Sequence, residues 1–289
     1  MMQATATANA WGEGRTRFTP ANILAYVLLT GLGILFALPF FWMLSASLKI
    51  ESDIWNYPPE WIPNPVRFAN YPEALSLMKF PRLLYNTVFV TALSMIGTLL
   101  SCTWVVYGFA RFRFPGRDFF FVLLLATMML PAQVTMIPLF ILFRELNWLN
   151  TFLPLIVPSF FGNAFFIFLL RQFFMTIPTE LDDAAKIDGC SYVGIWWRIL
   201  LPLIKPALAA VAIFSFIGNW NEFLGPLIYL NDEAKFTLTL GLATFRGVYT
   251  TQWALLMAAS VVVLLPCLIV FFLAQRQFVE GITFAGLQG

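Results

Sequence analysis

The sequence predicts an all-α integral membrane protein, a bundle of six transmembrane helices, and three observations carry that expectation. Of the 289 residues, 60% are hydrophobic and only 11% are charged, a balance far outside that of soluble domains. Six apolar blocks reach the roughly 20 helical residues that cross a hydrocarbon layer about 30 Å thick: 23–48, 83–110, 119–143, 152–173, 202–230 and 253–274. Runs such as FFFVLLLATMML at 119–130 are apolar on every face, which suits a helix and not the alternation of a β-barrel strand.

Taken in order, residues 1–20 are polar, carry Arg15 and Arg17 and lack a periodic apolar face, so a flexible tail is expected. The first block runs through Pro39 into FFWMLSASL without a small-x-small cleavage site, so it is expected to stay as a span rather than leave as a signal peptide. Pro131, Pro138 and Pro226 remove backbone hydrogen bonds within blocks and read either as kinks beside a pathway or as packing features. Lys and Arg near the block ends set orientation. An inside N-terminus puts Arg15, Arg17, Arg111, Arg113, Arg117, Arg171, Lys186, Arg198, Lys205 and Arg276 on the cytoplasmic side, which favours both termini inside. Two loops then face outward: 49–82, with WNYPPEWIPNP, and 231–252, ending in FRGVYTTQW. Their prolines and aromatics fit a partner surface or interfacial packing.

Composition also excludes. A net charge of +2 provides no basic field for nucleic acid. Histidine is absent and Cys102, Cys190 and Cys267 are far apart, which leaves no thiol pair with metal-ligand or redox spacing. No G-x-x-x-x-G-K-[ST] occurs, so the chain has no P-loop, and any ATP that drives it is hydrolysed by another subunit. Without an internal repeat, a single-chain carrier built from two inverted halves is disfavoured.

The stretch ELDDAAKIDGCSYVGIWWRILLPLIKP, 180–206, interrupts the apolar pattern. Thr179 and Asp182 form a capping-box-like pair, and Glu180, Asp182 and Asp183 suit the positive end of a helix dipole. Leu181, Ala184, Ala185 and Asp188 recur at helical spacing as one narrow face of mostly small side chains. Gly189 suits a left-handed end, Ser191 caps a second short helix, and Pro202 fits the first turn of the next span. A helix lying on lipid is one reading. Four acids against the single Lys186 over 180–190 argue against it, because anionic lipid attracts Lys and Arg. Docking on a concave protein surface, by close backbone approach and carboxylates that meet Arg or Lys, fits better.

The pattern E-L-x-x-A-A-x-I-D-G followed by I-L-L-P-L-x-x-P resembles the EAA loop of binding-protein-dependent ABC transporter permeases. YGFARFRFPGRD at 107–118, MLPAQVTMIPLF at 129–140, NWNEFLGPL at 219–227 and QRQFVEGITFAG at 275–286 are similar to the MalG-type carbohydrate branch of type I importers. The departures are Asp183, where the motif usually has Glu, and Cys190, where Ala is common. The resemblance implies a permease domain over 21–276, with a cytoplasmic coupling helix in the loop 178–201 and a cytoplasmic tail at 277–289. It implies no enzyme in this chain: Glu180, Asp182, Asp183, Ala184, Ala185, Asp188 and Gly189 would engage a partner ATPase that holds ATP and magnesium. A second homologous permease, two ATPase subunits and an extracytoplasmic solute-binding protein on the two outer loops are the implied partners, in a bacterial or archaeal cytoplasmic membrane.

Within NWNEFLGP, Trp220, Asn221 and Glu222 read as part of a sugar path, since indole faces stack on pyranose rings while amide and carboxylate bind hydroxyls. A helix–helix hydrogen bond or interfacial anchor is the equal alternative. The function these observations support is half of an ATP-driven import pathway for a carbohydrate or related solute. An ion-coupled carrier acting without an ATPase is the alternative, and it calls for acids or histidines at the bilayer midplane.

Overall fold

The computed structural model describes residues 20–247 and 250–286, with side chains except those of Ala21 and 276–286. The expected N-terminal tail thus lies outside the described residues, and of the C-terminal tail only backbone is described.

The architecture is all-α, and among the described residues the only β pairing is an isolated bridge between Arg246 and Thr251. The helices are α1 (Pro20–Ser47), α2 (Asn70–Leu77), α3 (Phe80–Arg111), α4 (Arg117–Thr127), α5 (Ala132–Glu145), α6 (Leu153–Ile156), α7 (Ala164–Phe174), α8 (Glu180–Ile187), α9 (Tyr192–Ile195), α10 (Leu201–Leu203), α11 (Lys205–Trp220), α12 (Leu224–Tyr229), α13 (Leu238–Ala243) and α14 (Trp253–Gly286). Asn22–Ser47, Phe80–Arg111, Leu153–Phe174 and Trp253–Gln275 are long and apolar enough to cross a membrane. Six crossings result if each of two bent pairs counts as one.

Those bends divide two of the six apolar blocks. Block 119–143 is broken into α4 and α5, which meet at 95°, because Pro131 lacks an N–H and disfavours helical backbone at Leu130. Block 202–230 is divided twice. The segment 192–203 meets α11 at 82°, so Pro206, not Pro202, sits in the first turn of the crossing helix. At the far end α11 stops at Trp220, and α12 resumes at Leu224.

Helix α3 is the mast. Its 32 residues extend about 48 Å at 1.5 Å per residue, and it packs on α7, α11 and the 3₁₀ turn Val157–Phe161, while α14 packs on α11 and α1. One apolar core surrounds the lower end of α3, with Val106, Leu170, Phe174, Ile195, Leu200 and Val211. A second, at the other end, holds Leu83, Trp220, Leu238, Leu256 and Val263. Hydroxyls of α3 face the irregular 153–161 segment between them. Ser94 Oγ donates to the Leu155 carbonyl at 3.1 Å and Ser101 Oγ to that of Ser159 at 2.9 Å.

The end that carries loops 49–82 and 231–252 is tied by polar contacts. Glu51 accepts from the backbone N–H groups of Trp253 and Ala254 at 2.8 Å each, capping α14. Buried Asn86 donates to the carbonyls of Ala234 and Phe236, and Lys235 reaches that of Asn150 at 2.7 Å. Arg111 and α8 lie at the opposite end.

Gly97 of α3 is the close approach to Phe160. A Cβ there would come within 2.6 Å of the ring. Gly97→Val is therefore expected to destabilise the protein by about 1–3 kcal/mol through overpacking, read as a lowered apparent Tm of the detergent-solubilised protein, whereas Gly108→Ala, where a Cβ meets nothing within 4 Å, leaves it near wild type.

Candidate functional site

Two features gather the polar residues of this apolar chain: the α8 loop at one end and a cleft in the middle. Helix α8 begins without the expected capping box. Thr179 has helical backbone angles (φ −72°, ψ −19°) and its side chain makes no cap hydrogen bond. The acid that would complete the box is engaged elsewhere, since Asp182 Oδ2 lies 2.8 Å from Arg111 Nε at the end of α3. Glu180, Asp182 and Asp183 still occupy the first turn, where the helix dipole favours them. Gly189 adopts φ +79°, the left-handed end that glycine allows. Ser191 Oγ accepts from the Gly194 N–H at 3.2 Å and so starts α9. A π-helical turn over Trp196–Leu200 carries the chain from α9 into α10.

The expected narrow face of α8 is split. Asp182 and Ala185 point inward, with Ala185 in the core that also contains Phe174 and Ile195. Glu180, Leu181, Asp183, Ala184, Asp188 and Gly189 are exposed, and Ile187 is 87% exposed. Of the two alanines, only Ala184 is therefore open to a partner. Core packing and the Arg111 contact choose the 182/185 register over the 181/184/185/188 one. Outside, Lys186 Nζ lies 3.2 Å from Asp183, an exposed pair worth little by itself.

The Arg111–Asp182 pair differs from it. The two side chains are only 6% and 8% exposed, and Arg111 Nη2 also donates to the Ile177 carbonyl at 3.0 Å. Asp182 Oδ1 has no hydrogen-bond partner, and the Arg111 Nε–H is not aligned on the carboxylate despite the short contact. The interaction is thus chiefly ionic, in a place where removing either partner strands a buried charge. Burial pushes the Asp182 carboxyl above its ordinary value of 3.8; Arg111 and then Lys186 oppose that shift, and Asp183 adds to it.

The cleft, about 490 Å³, opens between α3, the 3₁₀ turn, α7 and α11. Thr98, Ser159, Asn163, Ser215, Asn219 and Glu222 supply its polar groups, and Phe166 and Phe214 its aromatic walls. Asn163 caps α7 by accepting from the Phe166 N–H at 3.2 Å. Asn219 Nδ2 donates to the Ser215 carbonyl at 2.7 Å, and Glu222 Oε1 accepts from the Gly225 N–H at 2.8 Å where α11 breaks.

Of the three residues expected on a sugar path, Glu222 lines this cleft. Trp220 does not: it is buried in the second core, stacks on Phe216 and donates from Nε1 to the Val263 carbonyl at 3.2 Å. Asn221 donates to the Ile217 carbonyl at 2.9 Å, with Cys267 Sγ at 4.0 Å. Sequence reasoning missed Ser215 and Asn219, although 215, 218, 219 and 222 recur at helical spacing as a small and polar stripe in an apolar segment. It also missed the pairing of Arg111 with Asp182, which lie far apart in sequence.

Residues 95–283 match the family described as binding-protein-dependent transport system inner membrane component. The probable ABC transporter permease protein YurM of Bacillus subtilis is 35% identical over 261 residues, 89% of this chain and 85% of that protein. The arabinooligosaccharides transport system permease protein AraQ of Halalkalibacterium halodurans is 40% identical over 204 residues, 71% and 73% of the two chains. The fold is similar to a chain in the crystal structure of a bacterial ABC transporter involved in the import of the acidic polysaccharide alginate. That match has a TM-score of 0.79 at 24% identity and covers 90% of this chain and 98% of that one.

The raised Asp182 value has a definite sign. Between 3.8 and the folded value, the folded state holds a proton that the unfolded state has released, so this group's contribution to stability falls as pH rises through that window. The Tm advantage of wild type over Asp182→Asn is expected to shrink as pH rises through the acid range; an advantage that grows instead would mean that Arg111 overrides burial.

Proposed function

The chain belongs to the family of binding-protein-dependent transport system inner membrane components, and on that premise we propose that it forms half of the pathway of an ATP-driven importer for a carbohydrate or related solute, gripped through α8 by a cytoplasmic ATPase. It is a multi-pass membrane permease subunit of an ABC transporter. One observation carries the ATPase assignment: α8 turns Leu181, Ala184 and Ile187 outward within a fringe of acids, at an end of the bundle where the chain itself provides no nucleotide site. An apolar patch of small and branched side chains ringed by carboxylates suits a groove with a basic rim, and not an anionic lipid surface.

The cleft supports the solute class. Hydroxyl, amide and carboxylate groups beside Phe166 and Phe214 match the hydroxyls and the apolar C–H faces of a sugar, and the name of the relative AraQ specifies arabinooligosaccharides. A second, homologous permease would close the open side. The outer loop exposes Trp55, Tyr57, Trp61, Ile62 and Phe68, which fits a seat for an extracytoplasmic binding protein. In this arrangement the α8 end is cytoplasmic, in agreement with Arg111, Arg113, Arg117, Arg171 and Arg198 near that end. The ion-coupled alternative gains nothing from the comparisons, all of which are to ABC permeases.

The test is co-expression with the ATPase, permease and binding protein of the same gene cluster, followed by uptake of a panel of labelled oligosaccharides. Ala184→Trp is expected to prevent ATPase co-purification while the permease still inserts and folds. Ala185→Trp is expected to lower the yield of folded permease instead, and a normal assembly in Ala184→Trp would sink the docking assignment.

The cleft has its own check. Asn219→Ala and Glu222→Gln, which keeps the oxygen that caps Gly225, are expected to reduce uptake by roughly tenfold, the scale of one lost charge-assisted contact, at unchanged folded yield. Trp220→Ala should act on stability, by about 3–5 kcal/mol. Unchanged uptake and solute range in both cleft variants would remove the cleft from the pathway.

A further inference from the structure

Helix α8 has only eight residues and is joined to its neighbours by the 177–179 segment on one side and the left-handed Gly189 on the other. Such a short helix needs a fixed attachment if a push on its outer face is to move anything. Two polar contacts fasten it to α3, and both go through one guanidinium. Arg111 holds the Asp182 carboxylate in the first turn of α8 and the Ile177 carbonyl just before it. Arg111 is the last residue of α3, and the same helix lines the cleft at Thr98, thirteen residues or about 20 Å along a rigid rod.

The pair is largely closed off from solvent, its side chains only 6% and 8% exposed. Tyr107 of α3 is in electrostatic reach of both partners, and Lys186 and Asp183 on α8 are in reach of Asp182. Phe112 packs edge-on against Tyr107, with ring centroids 5.1 Å apart, and lies 5.2 Å from Tyr192. For bare stability an apolar pair of similar size would serve as well, since buried ion pairs gain little over hydrophobic replacements. A buried ion pair differs from apolar packing in resisting slip, because sliding it by one residue separates the charges in a medium of low dielectric.

We propose that the buried Arg111–Asp182 ion pair is the joint that passes displacement of α8 to α3 and so to the cleft, making both positioning residues of the transport cycle. The inference rests on α8 being the surface that the ATPase grips. Packing of Ala185 in the core seats the helix, and the ion pair fixes its register.

The experiment uses the whole complex with Ser159→Cys as reporter on the cleft, in a background where Cys190 and Cys267 are serine. The rate of labelling by a water-soluble maleimide is measured with and without ATP and magnesium, alongside ATPase co-purification. In the otherwise unaltered complex, nucleotide is expected to change the rate by about tenfold, the scale of a typical coupling free energy. Arg111→Gln and Asp182→Asn each lose this response while the ATPase still co-purifies. Arg111→Lys retains part of it, and the exchange Arg111→Asp with Asp182→Arg restores more than either single change. A response that persists in both single variants, or variants that shed the ATPase, would overturn the joint. A reporter complex that holds its ATPase and never responds to nucleotide overturns the joint but leaves docking intact, whereas Ala184→Trp assembling normally defeats the docking assignment beneath it.

Discussion

Every backbone N–H and C=O that lies in hydrocarbon must find a partner within the protein, and the shape of this bundle follows from where that requirement is met by something other than a helix. The short helix α6 and the 3₁₀ turn after it are tied to α3 by hydroxyls that take up their carbonyls: Ser94 that of Leu155, and Ser101 that of Ser159. Asn163 then restarts the helix by capping α7. Glu222 does the same for α12 where α11 has ended, through the Gly225 N–H. The side chains that repair these breaks are therefore polar, and two of them, Asn163 and Glu222, line one cleft. A polar cleft and a set of broken helices are two consequences of one constraint.

The same constraint explains what could be read from the sequence. The six apolar blocks and the α-helical class depend on length and composition, which lipid enforces residue by residue, so they were legible. The left-handed Gly189 and the Ser191 cap were legible because local backbone chemistry decides them. The fate of Trp220 was not. Its neighbours in sequence are polar, but its indole meets Phe216 and the Val263 carbonyl, and nothing local distinguishes a tryptophan turned to a pathway from one turned to a neighbouring helix. Thr179 failed as a cap for a related reason, since its partner Asp182 is claimed by a residue 71 positions earlier in the chain. Long-range electrostatics in a buried place outrank a local capping preference of about 1 kcal/mol.

The two ends of the bundle are built on different terms. At the end that carries loops 49–82 and 231–252 the contacts are many and mostly involve backbone: Glu51 on α14, Asn86 on 234 and 236, Asn150 accepting from the Asn231 and Asp232 N–H groups. Loss of any one leaves others in place. At the α8 end a single guanidinium carries the polar attachment, with aromatic rings around it. Redundant ties suit a platform that must present a fixed surface. A single buried ionic tie suits a part that moves as a unit with the helix it is fastened to.

That difference bears on why α8 is acidic at all. Its exposed carboxylates, Glu180, Asp183 and Asp188, keep it off an anionic membrane surface, while its inward carboxylate, Asp182, has no such exposure and answers Arg111 instead. One short acidic helix thus serves two electrostatic ends: repulsion from lipid on one face and attachment to α3 on the other. Neutralising the whole helix would remove both. An apolar α8 would sink toward the headgroups and slide on the end of α3, and a push on it would then be absorbed in the loop before it reached Thr98 and the cleft.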